Sequence, residues 1–352
     1  MVFKARHHRS PRTGILFKDT LGENEMVYEG IFPVVPTPLG DDEQVDHQGL
    51  QHLIEYYIAC GCQGLVVLGS GGEFPYFTLE EKRSIIATSA TACAGRIPLV
   101  AGCGFYSLQE TLAFIRACQG HRLDGLLVAL PTYYPLQFKD VSAYYREVCR
   151  NTPGPVFYYH FPQMTGLFFT PEQLGGILMI EGIAGMKVSA FCLREMKSLL
   201  AQVKGKPFSL FAGVSFLLRD TLAMGGQGVI DPIASFAPRL VLDAYRACRD
   251  GQAQKAHTLQ EQILDLIPIM NSLYLPSLIQ KRAFQALSHL ARPSRSAGKA
   301  SRHAITKETL KQLGHPISAR VRSPLPQITE KERLRIKAII SGNPVFQNEI
   351  LR

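Results

Sequence analysis

Lys187 is the side chain of this sequence with the most direct chemical use, because it lies in an apolar segment. Residues 183–188 read Ile-Ala-Gly-Met-Lys-Val and are followed by serine, a composition typical of a buried strand. Burial penalises the charged form of a lysine, and a neutral amine can attack a keto group to form a Schiff base. A lysine at a strand end can also extend its charged group into water, so the hypothesis depends on what surrounds Lys187.

Hydroxyl groups and glycines follow several other apolar segments. One segment leads into Gly-Ser-Gly-Gly-Glu at residues 69–73, where backbone N–H groups could bind an anion. Tyr133 and Tyr159 lie at or just after apolar segments, and Gly213 follows another. Schiff-base formation needs proton transfer, and neighbouring hydroxyl groups can carry protons without placing a charge beside the amine. Glu73 is expected to brace the glycine turn through hydrogen bonds rather than to act as a base.

Eight short apolar segments alternate with segments of helical periodicity. Their apolar residues are continuous rather than alternating, which indicates strands buried on both faces of a parallel sheet with crossover helices. Eight such strands predict a (β/α)8 TIM barrel, whose catalytic groups come from the carboxyl ends of the strands. A doubly wound open sheet is the alternative, but no Gly-x-Gly-x-x-Gly turn follows the first strand. We predict strands at residues 30–35, 64–68, 98–101, 125–130, 155–159, 183–188, 208–212 and 228–230.

The barrel is predicted to span residues 26–235. Residues 1–25 are basic, polar and without apolar periodicity, so we expect a disordered leader. Residues 236–352 are predicted to form a C-terminal helical region that contains a low-complexity basic insert near residues 291–304. Within that region we predict helices at residues 237–250, 252–272, 307–313 and 329–340.

The composition excludes several classes of partner. The net charge of +9 comes from the C-terminal region, which lacks interleaved aromatics and any known nucleic-acid module, so no nucleic-acid partner is expected. No segment approaches the roughly 20 continuous apolar residues of a membrane span, so no membrane contact is expected. The eight cysteines show no disulfide-framework spacing, which favours a reduced, cytoplasmic protein.

At the candidate residues the chain resembles the N-acetylneuraminate lyase/dihydrodipicolinate synthase family of class I aldolases. Residues 69–73 match the family motif G-[ST]-T-G-E except at Gly71, and residues 159–166 match Y-x-x-P-x-x-[ST]-G. Residues 185–187, Gly-Met-Lys, match G-[ILM]-K. The likeness runs from about residue 26 to residue 292 and returns more loosely over residues 307–340.

The resemblance implies a role for each catalytic residue. Lys187 would form an imine with a 2-keto acid such as pyruvate, without a metal or another cofactor. Tyr159 would be the central proton donor and acceptor, linked to Ser70 and to Tyr133. The resemblance also implies a homo-oligomer, a dimer or a tetramer, with Tyr133 or Tyr134 near a subunit boundary. Which of these two tyrosines joins the proton relay stays open.

Further positions of the family motifs imply contacts with the substrate. The turn at Ser70 and Gly71 would hold the carboxylate of the keto acid through its N–H groups. Gly213 matches a backbone position near the imine, and Ile230 matches a position in the wall around it. Met164 and Thr165 belong to the motif after the fifth strand. The implied substrate-binding residues are Gly71, Gly213, Ile230, Met164 and Thr165.

Two departures from the family concern the second substrate, and a third concerns the carboxylate of the keto acid. Met164 stands where dihydrodipicolinate synthases have an arginine that binds a second carboxylate, so such a partner loses its anchor. Residues 213–216, Gly-Val-Ser-Phe, lack the acidic pair that sialic acid lyases offer to the polyol tail. Gly71 replaces the usual threonine, which removes one hydroxyl from the carboxylate site. Neither lysine biosynthesis nor sialate cleavage is therefore the expected reaction.

The sequence thus predicts a class I aldolase or lyase that acts on a 2-keto acid through a Schiff base on Lys187. Pyruvate is the expected common donor or product. One alternative is a condensation of the 4-hydroxy-tetrahydrodipicolinate synthase type, and another is a 2-keto-3-deoxy sugar acid dehydratase or aldolase. A non-catalytic barrel with a binding role is the alternative from a different class.

Overall fold

The computed structural model describes residues 27–104, 107–130, 134–190, 192–270 and 301–350. The leader predicted at residues 1–25 lies outside the described residues. So do Tyr133 and residues 291–300 of the predicted basic insert.

Eight parallel strands form one sheet in the order β1-β8-β7-β6-β5-β4-β3-β2. The two ends of this sheet meet through a parallel bridge between Val34 and Val66, and Val35 N–H donates to Val66 O at 2.9 Å. The sheet therefore curls into a nearly closed barrel with helices between the strands, which confirms the predicted (β/α)8 fold. The strands are β1 Gly30–Pro33, β2 Leu65–Val67, β3 Leu99–Cys103, β4 Gly125–Val128, β5 Val156–His160, β6 Ile183–Val188, β7 Ser209–Ala212 and β8 Gly228–Asp231.

The helices begin where the sequence supplies capping residues. Thr78 and Thr170 each accept a hydrogen bond from the N–H group three residues later, in complete capping boxes. Asp46 caps the first helix in a similar way. In chain order the helices are α1 His47–Cys60, α2 Leu79–Cys93, α3 Leu108–Ala117, α4 Phe138–Asn151, α5 Pro162–Thr165, α6 Pro171–Leu178, α7 Leu193–Gln202, α8 Leu218–Ala223, α9 Ile233–Phe236, α10 Pro238–Arg249, α11 Ala253–Leu264, α12 Ile267–Met270, α13 Arg302–Gln312 and α14 Glu330–Gly342.

Alternate residues of each strand face the barrel interior, as the two-residue period of a strand requires. On β5, Phe157 and Tyr159 belong to the interior cluster, whereas Tyr158 belongs to the larger core between the sheet and the helices. Phe211 packs in the interior against Phe32 and Phe157, with ring centroids 5.0 Å and 6.4 Å apart. Aromatic rings therefore fill much of the interior around the residues that carry the candidate chemistry.

The C-terminal helices complete the barrel and then cover part of it. Helix α10 packs on β1 and between α1 and α8, in the place of the eighth barrel helix. Helix α13 packs on α9 and on the glycine turn at residues 70–72. It begins at Arg302, inside the predicted insert and earlier than the predicted start at residue 307, because Ser301 accepts a hydrogen bond from His303 N–H and caps the helix. In the described part of the chain, no helix is both long and apolar enough to span a membrane.

Candidate active site

Lys187 of β6 lies inside the barrel beside Tyr159 of β5. The two residues are partners in the register of the strands, and Lys187 Nζ lies 4.6 Å from the centroid of the Tyr159 ring. Their exposed fractions are only 4% and 5%. The Lys187 amine therefore does not extend into bulk water, and it faces an aromatic ring inside the barrel.

The Tyr159 hydroxyl meets a residue that the sequence analysis did not select. Ser189 Oγ donates to Tyr159 Oη at 3.4 Å, and both side chains are buried. Ser189 lies two residues after Lys187 and therefore faces the same side of the sheet. A Cβ atom at Gly213 would lie 2.1 Å from Ser189 Oγ, so glycine at this position leaves the space that the serine occupies.

The predicted anion turn follows β2 and is a short 3-10 turn at Ser70–Gly72. The turn is closed by N–H groups of Gly72 and Glu73, which donate to Gly69 O at 2.9 Å and Ser70 O at 3.1 Å. The N–H groups that it can offer to an anion are therefore those of Ser70 and Gly71. Both of these residues are half-buried, as a site that exchanges a small ligand requires.

Val34 of the barrel interior explains why residue 71 is glycine. A Cβ atom at Gly71 would lie 2.9 Å from Val34 Cγ1, and one at Gly69 would lie 3.0 Å from the same atom. Val34 is 3% exposed and packed in the interior cluster. A threonine at position 71 therefore cannot fit unless Val34 moves, and an apolar side chain fills the space below the turn.

Glu73 ends the glycine turn and is completely buried. Its carboxylate pairs with Lys307 Nζ at 2.6 Å and accepts a hydrogen bond from Arg322 N–H at 2.8 Å. Glu73 therefore braces the turn, as predicted from the sequence, and the partners that it uses come from the C-terminal region.

The other predicted substrate-binding residues fall into two places. Ile230 of β8 lies in the interior cluster with Tyr159. Met164 and Thr165 belong to α5, directly after β5. The Met164 side chain is 68% exposed, whereas Thr165 Oγ1 donates to Phe161 O at 3.2 Å within its own turn. The structure thus places Ile230 in the same interior cluster as Tyr159, while the Thr165 hydroxyl already has a partner.

Asp231 is a second residue whose role the sequence analysis missed. It is 1% exposed, and its carboxylate accepts hydrogen bonds from Ser215 N–H and Ile233 N–H. Burial raises the pKa of Asp231 to about 6, and the charge of Lys187 acts in the opposite direction. The sequence showed an acid at the end of an apolar strand, but not that this acid fixes the loop after β7.

These groups can carry out imine chemistry together. A buried amine can act as a nucleophile, a pair of hydroxyl groups can move protons, and a turn of N–H groups can hold a carboxylate. Among the described residues, no group of three or more His, Cys, Asp or Glu side chains is arranged to hold a metal ion.

Sequence comparison places these residues in a known context. A sequence model of the Dihydrodipicolinate synthetase family matches residues 27–296. YjhH of Escherichia coli K12, named for a 2-dehydro-3-deoxy-D-pentonate aldolase activity, is 31% identical over 252 residues, which cover 71% of this chain and 83% of YjhH. YagE of the same organism, named for a 2-dehydro-3-deoxy-D-gluconate aldolase activity, is 28% identical over 317 residues, which cover 89% of this chain and 96% of YagE.

Solved structures of related proteins have the same fold as this chain. The crystal structure of YagE in complex with pyruvate superposes with a TM-score of 0.79 at 27% identity and covers 91% of this chain and 100% of that chain. A catalytic lysine mutant of the sialic acid aldolase from Ruminococcus gnavus has a TM-score of 0.79 at 19% identity, covering 92% of this chain and 98% of its own. At that identity the second likeness concerns the fold alone.

Proposed function

Because this chain belongs to the dihydrodipicolinate synthetase family, we propose that it is a pyruvate-dependent class I aldolase with Lys187 as the imine-forming residue. The family and its relatives carry the names of aldolases and lyases, which confirms the prediction of a lyase. The observation that supports Lys187 is its position: a buried amine in register with Tyr159, 4.6 Å from the ring centroid.

The proposed reaction begins with attack of the Lys187 amine on the keto carbon. The carbinolamine then loses water, with Tyr159 and Ser189 as the hydroxyl groups that carry the protons. The resulting iminium withdraws electrons from the neighbouring carbon. Removal of the proton from the C4 hydroxyl breaks the C3–C4 bond, which releases an aldehyde and leaves an enamine on the lysine. Protonation of the enamine carbon restores an iminium, and its hydrolysis returns pyruvate and the free amine.

We further propose that the substrates are 2-dehydro-3-deoxy sugar acids of five or six carbons. YjhH and YagE are named for aldolases that act on such acids. Met164 supports the same choice, because an exposed apolar side chain cannot anchor a second carboxylate. The products would be pyruvate and a short hydroxyaldehyde. A dehydratase would instead give one dehydrated keto acid, so product analysis distinguishes the two reactions.

Borohydride trapping with pyruvate tests the imine. The expected result is a reduced pyruvate adduct on the peptide that contains Lys187, and its absence after Lys187→Ala. Lys206→Ala is a matched control, because Lys206 is a half-buried lysine whose amine donates to Leu178 O at 2.6 Å and Ile183 O at 2.8 Å. An adduct that persists in Lys187→Ala, or that never forms in the unaltered protein, contradicts the proposal.

The proposal includes no metal or organic cofactor, because the iminium itself withdraws the electrons. Unchanged aldolase activity after dialysis against a chelator is the expected result.

We also propose a cytoplasmic homo-oligomer. Exposed side chains after β4 and β5 support it, since large apolar groups at a surface often mark contacts between subunits: Tyr134, Met164 and Phe168 are 73%, 68% and 63% exposed. Light scattering of the purified protein tests it, and a monomeric mass at micromolar concentration would exclude it.

A further inference from the structure

The glycine turn contains backbone conformations that are costly for ordinary residues. Leu68, directly before the turn, has φ of 51°, and Glu73, at its end, has φ of 61°. Residues with a Cβ atom rarely adopt this left-handed backbone conformation, and they do so only where surrounding contacts enforce it. The N–H groups that would bind the keto-acid carboxylate lie between these two residues, so their direction depends on what holds the turn.

Helix α13 supplies one of the groups that hold it. Lys307 is fully buried, and its Nζ pairs with Glu73 Oε1 at 2.6 Å while donating to Arg320 O at 2.7 Å. Burial lowers the pKa of Lys307, and the carboxylate of Glu73 acts in the opposite direction. A buried ion pair of this kind fixes geometry, because moving either partner leaves a charge without compensation in a dry environment.

The segment after α13 donates a hydrogen bond to the second carboxylate oxygen of Glu73. Arg322 N–H donates to Glu73 Oε2 at 2.8 Å. The guanidinium of Arg322 pairs with Glu81 Oε1 at 2.6 Å and lies 4.8 Å from the centroid of the Phe77 ring. The same arginine therefore holds the end of the turn through its backbone and the following helix α2 through its side chain.

A third contact reaches the middle of the turn. Burial lowers the pKa of His303, in the first turn of α13, and the nearby backbone of Gly71 acts in the opposite direction. Gly71 has one of the two N–H groups assigned to the carboxylate, so a contact from α13 falls on the binding residue itself. The C-terminal region therefore touches the turn at its middle and at its end.

We infer that Glu73 and Lys307 are positioning residues, through which α13 orients the Ser70 and Gly71 N–H groups toward the keto-acid carboxylate. The inference rests on the proposed function and adds that the keto-acid site is completed by a region outside the barrel. A purely structural ion pair would affect stability without affecting the affinity for pyruvate, and this difference can be measured.

The double variant Glu73→Gln/Lys307→Met is the sharpest test. It removes both charges together, so neither is left buried without a partner. We expect the half-saturating pyruvate concentration for adduct trapping on Lys187 to rise about tenfold, the effect of one lost hydrogen bond to a charged group. The adduct at saturating pyruvate should still form. Lys307→Arg, which keeps the charge, should stay closer to the unaltered protein.

Glu349→Gln is the matched control. Glu349 is also a fully buried carboxylate of the C-terminal region, which accepts from Leu240 N–H at 2.8 Å and lies 3.6 Å from Arg239 Nη1. Its partners are on α10 and, through the Tyr56 hydroxyl, on α1, not on the glycine turn. The control should therefore lower stability while leaving the half-saturating pyruvate concentration unchanged.

Hydrogen exchange of the free protein separates this inference from the proposed function. The amides of Gly72 and Glu73, which close the turn, should exchange faster in the double variant and at the usual rate in Glu349→Gln. If the unaltered protein forms no adduct, the proposed function fails, and the exchange rates still decide whether α13 holds the turn. A double variant that is folded and traps pyruvate at the usual concentration overturns the inference, whatever its exchange rates.

Discussion

Tyr159 and Lys187 face each other across β5 and β6, with the amine 4.6 Å from the centre of the phenol ring. The backbone ladder of the two strands sets their register, so neither side chain can slide along the barrel without breaking that ladder. Phe161 stacks on the Tyr159 ring, with the two ring centroids 5.5 Å apart. The amine and the phenol are thus held together before any substrate binds.

Tyr159→Phe is expected to slow imine formation by about 10²- to 10⁴-fold, the usual contribution of one positioned acid or base group. The ring and its contact with Lys187 remain, so the half-saturating pyruvate concentration should change much less. Single-turnover trapping with borohydride measures both quantities. A variant that traps pyruvate at the normal rate would show that another group transfers the proton.

Ser189→Ala is expected to slow imine formation about fivefold, since one hydrogen bond between neutral groups contributes about 1 kcal/mol. Its hydroxyl lies 3.4 Å from that of Tyr159. Ser70→Ala is the matched variant, because the family resemblance assigns the partner of Tyr159 to Ser70. Should Ser70→Ala slow the reaction while Ser189→Ala does not, the proton relay passes through Ser70.

Position 71 and Val34 are expected to be coupled in stability. Gly71→Thr alone should cost about 1–3 kcal/mol, because the new Cβ atom would lie 2.9 Å from Val34 Cγ1. Val34→Ala should relieve that clash, so the double variant should be more stable than the sum of the single changes predicts. Denaturant unfolding of all four proteins gives the coupling energy. Strictly additive free energies would contradict the packing described for Val34.

The sequence was sufficient for the barrel and for the central pair, because both follow from local patterns. Continuous apolar segments place all eight strands within a few residues of their observed bounds, and the two-residue period places Lys187 and Tyr159 on inward faces. Ser189 could have been found in the same way, since it lies two residues after Lys187. The predicted alternation of β6 was correct, but it was not continued beyond residue 188 to Ser189.

Other contacts had no local signal. Lys307 pairs with Glu73, yet each reads in sequence as an ordinary charged residue of a helix or a turn, since nothing nearby in the chain indicates the other. Val34 packs under Gly71 because two ends of the sheet meet there. Such contacts depend on closure of the whole barrel. The role of Tyr133 stays a prediction.

The buried carboxyl of Asp231 should make stability depend on pH. Burial raises its pKa from 3.8 to about 6, so the folded protein binds this proton more tightly than the unfolded chain does. Asp231 therefore adds about 3 kcal/mol to the free energy of unfolding below about pH 4. This contribution is lost as the pH rises through about 6.

Asp231→Asn removes this titration. The free energy of unfolding of the unaltered protein, relative to the variant, should therefore fall between pH 4 and pH 7. Glu349, whose pKa burial raises to about 7, titrates in the same range in both proteins and cancels from the difference. A difference that is constant with pH would show that Asp231 is ionised throughout.

Arg322 reaches Glu73 across 249 residues of chain, and this distance has a consequence for synthesis. Domains begin to fold from the amino terminus while the rest of the chain is still being made. The strands that carry Tyr159 and Lys187 are therefore complete well before α13 and the segment after it leave the ribosome. Until then the carboxylate of Glu73 has neither of its partners. A chain that ends before α13 would therefore contain Lys187 and Tyr159 but would lack the groups that hold the glycine turn.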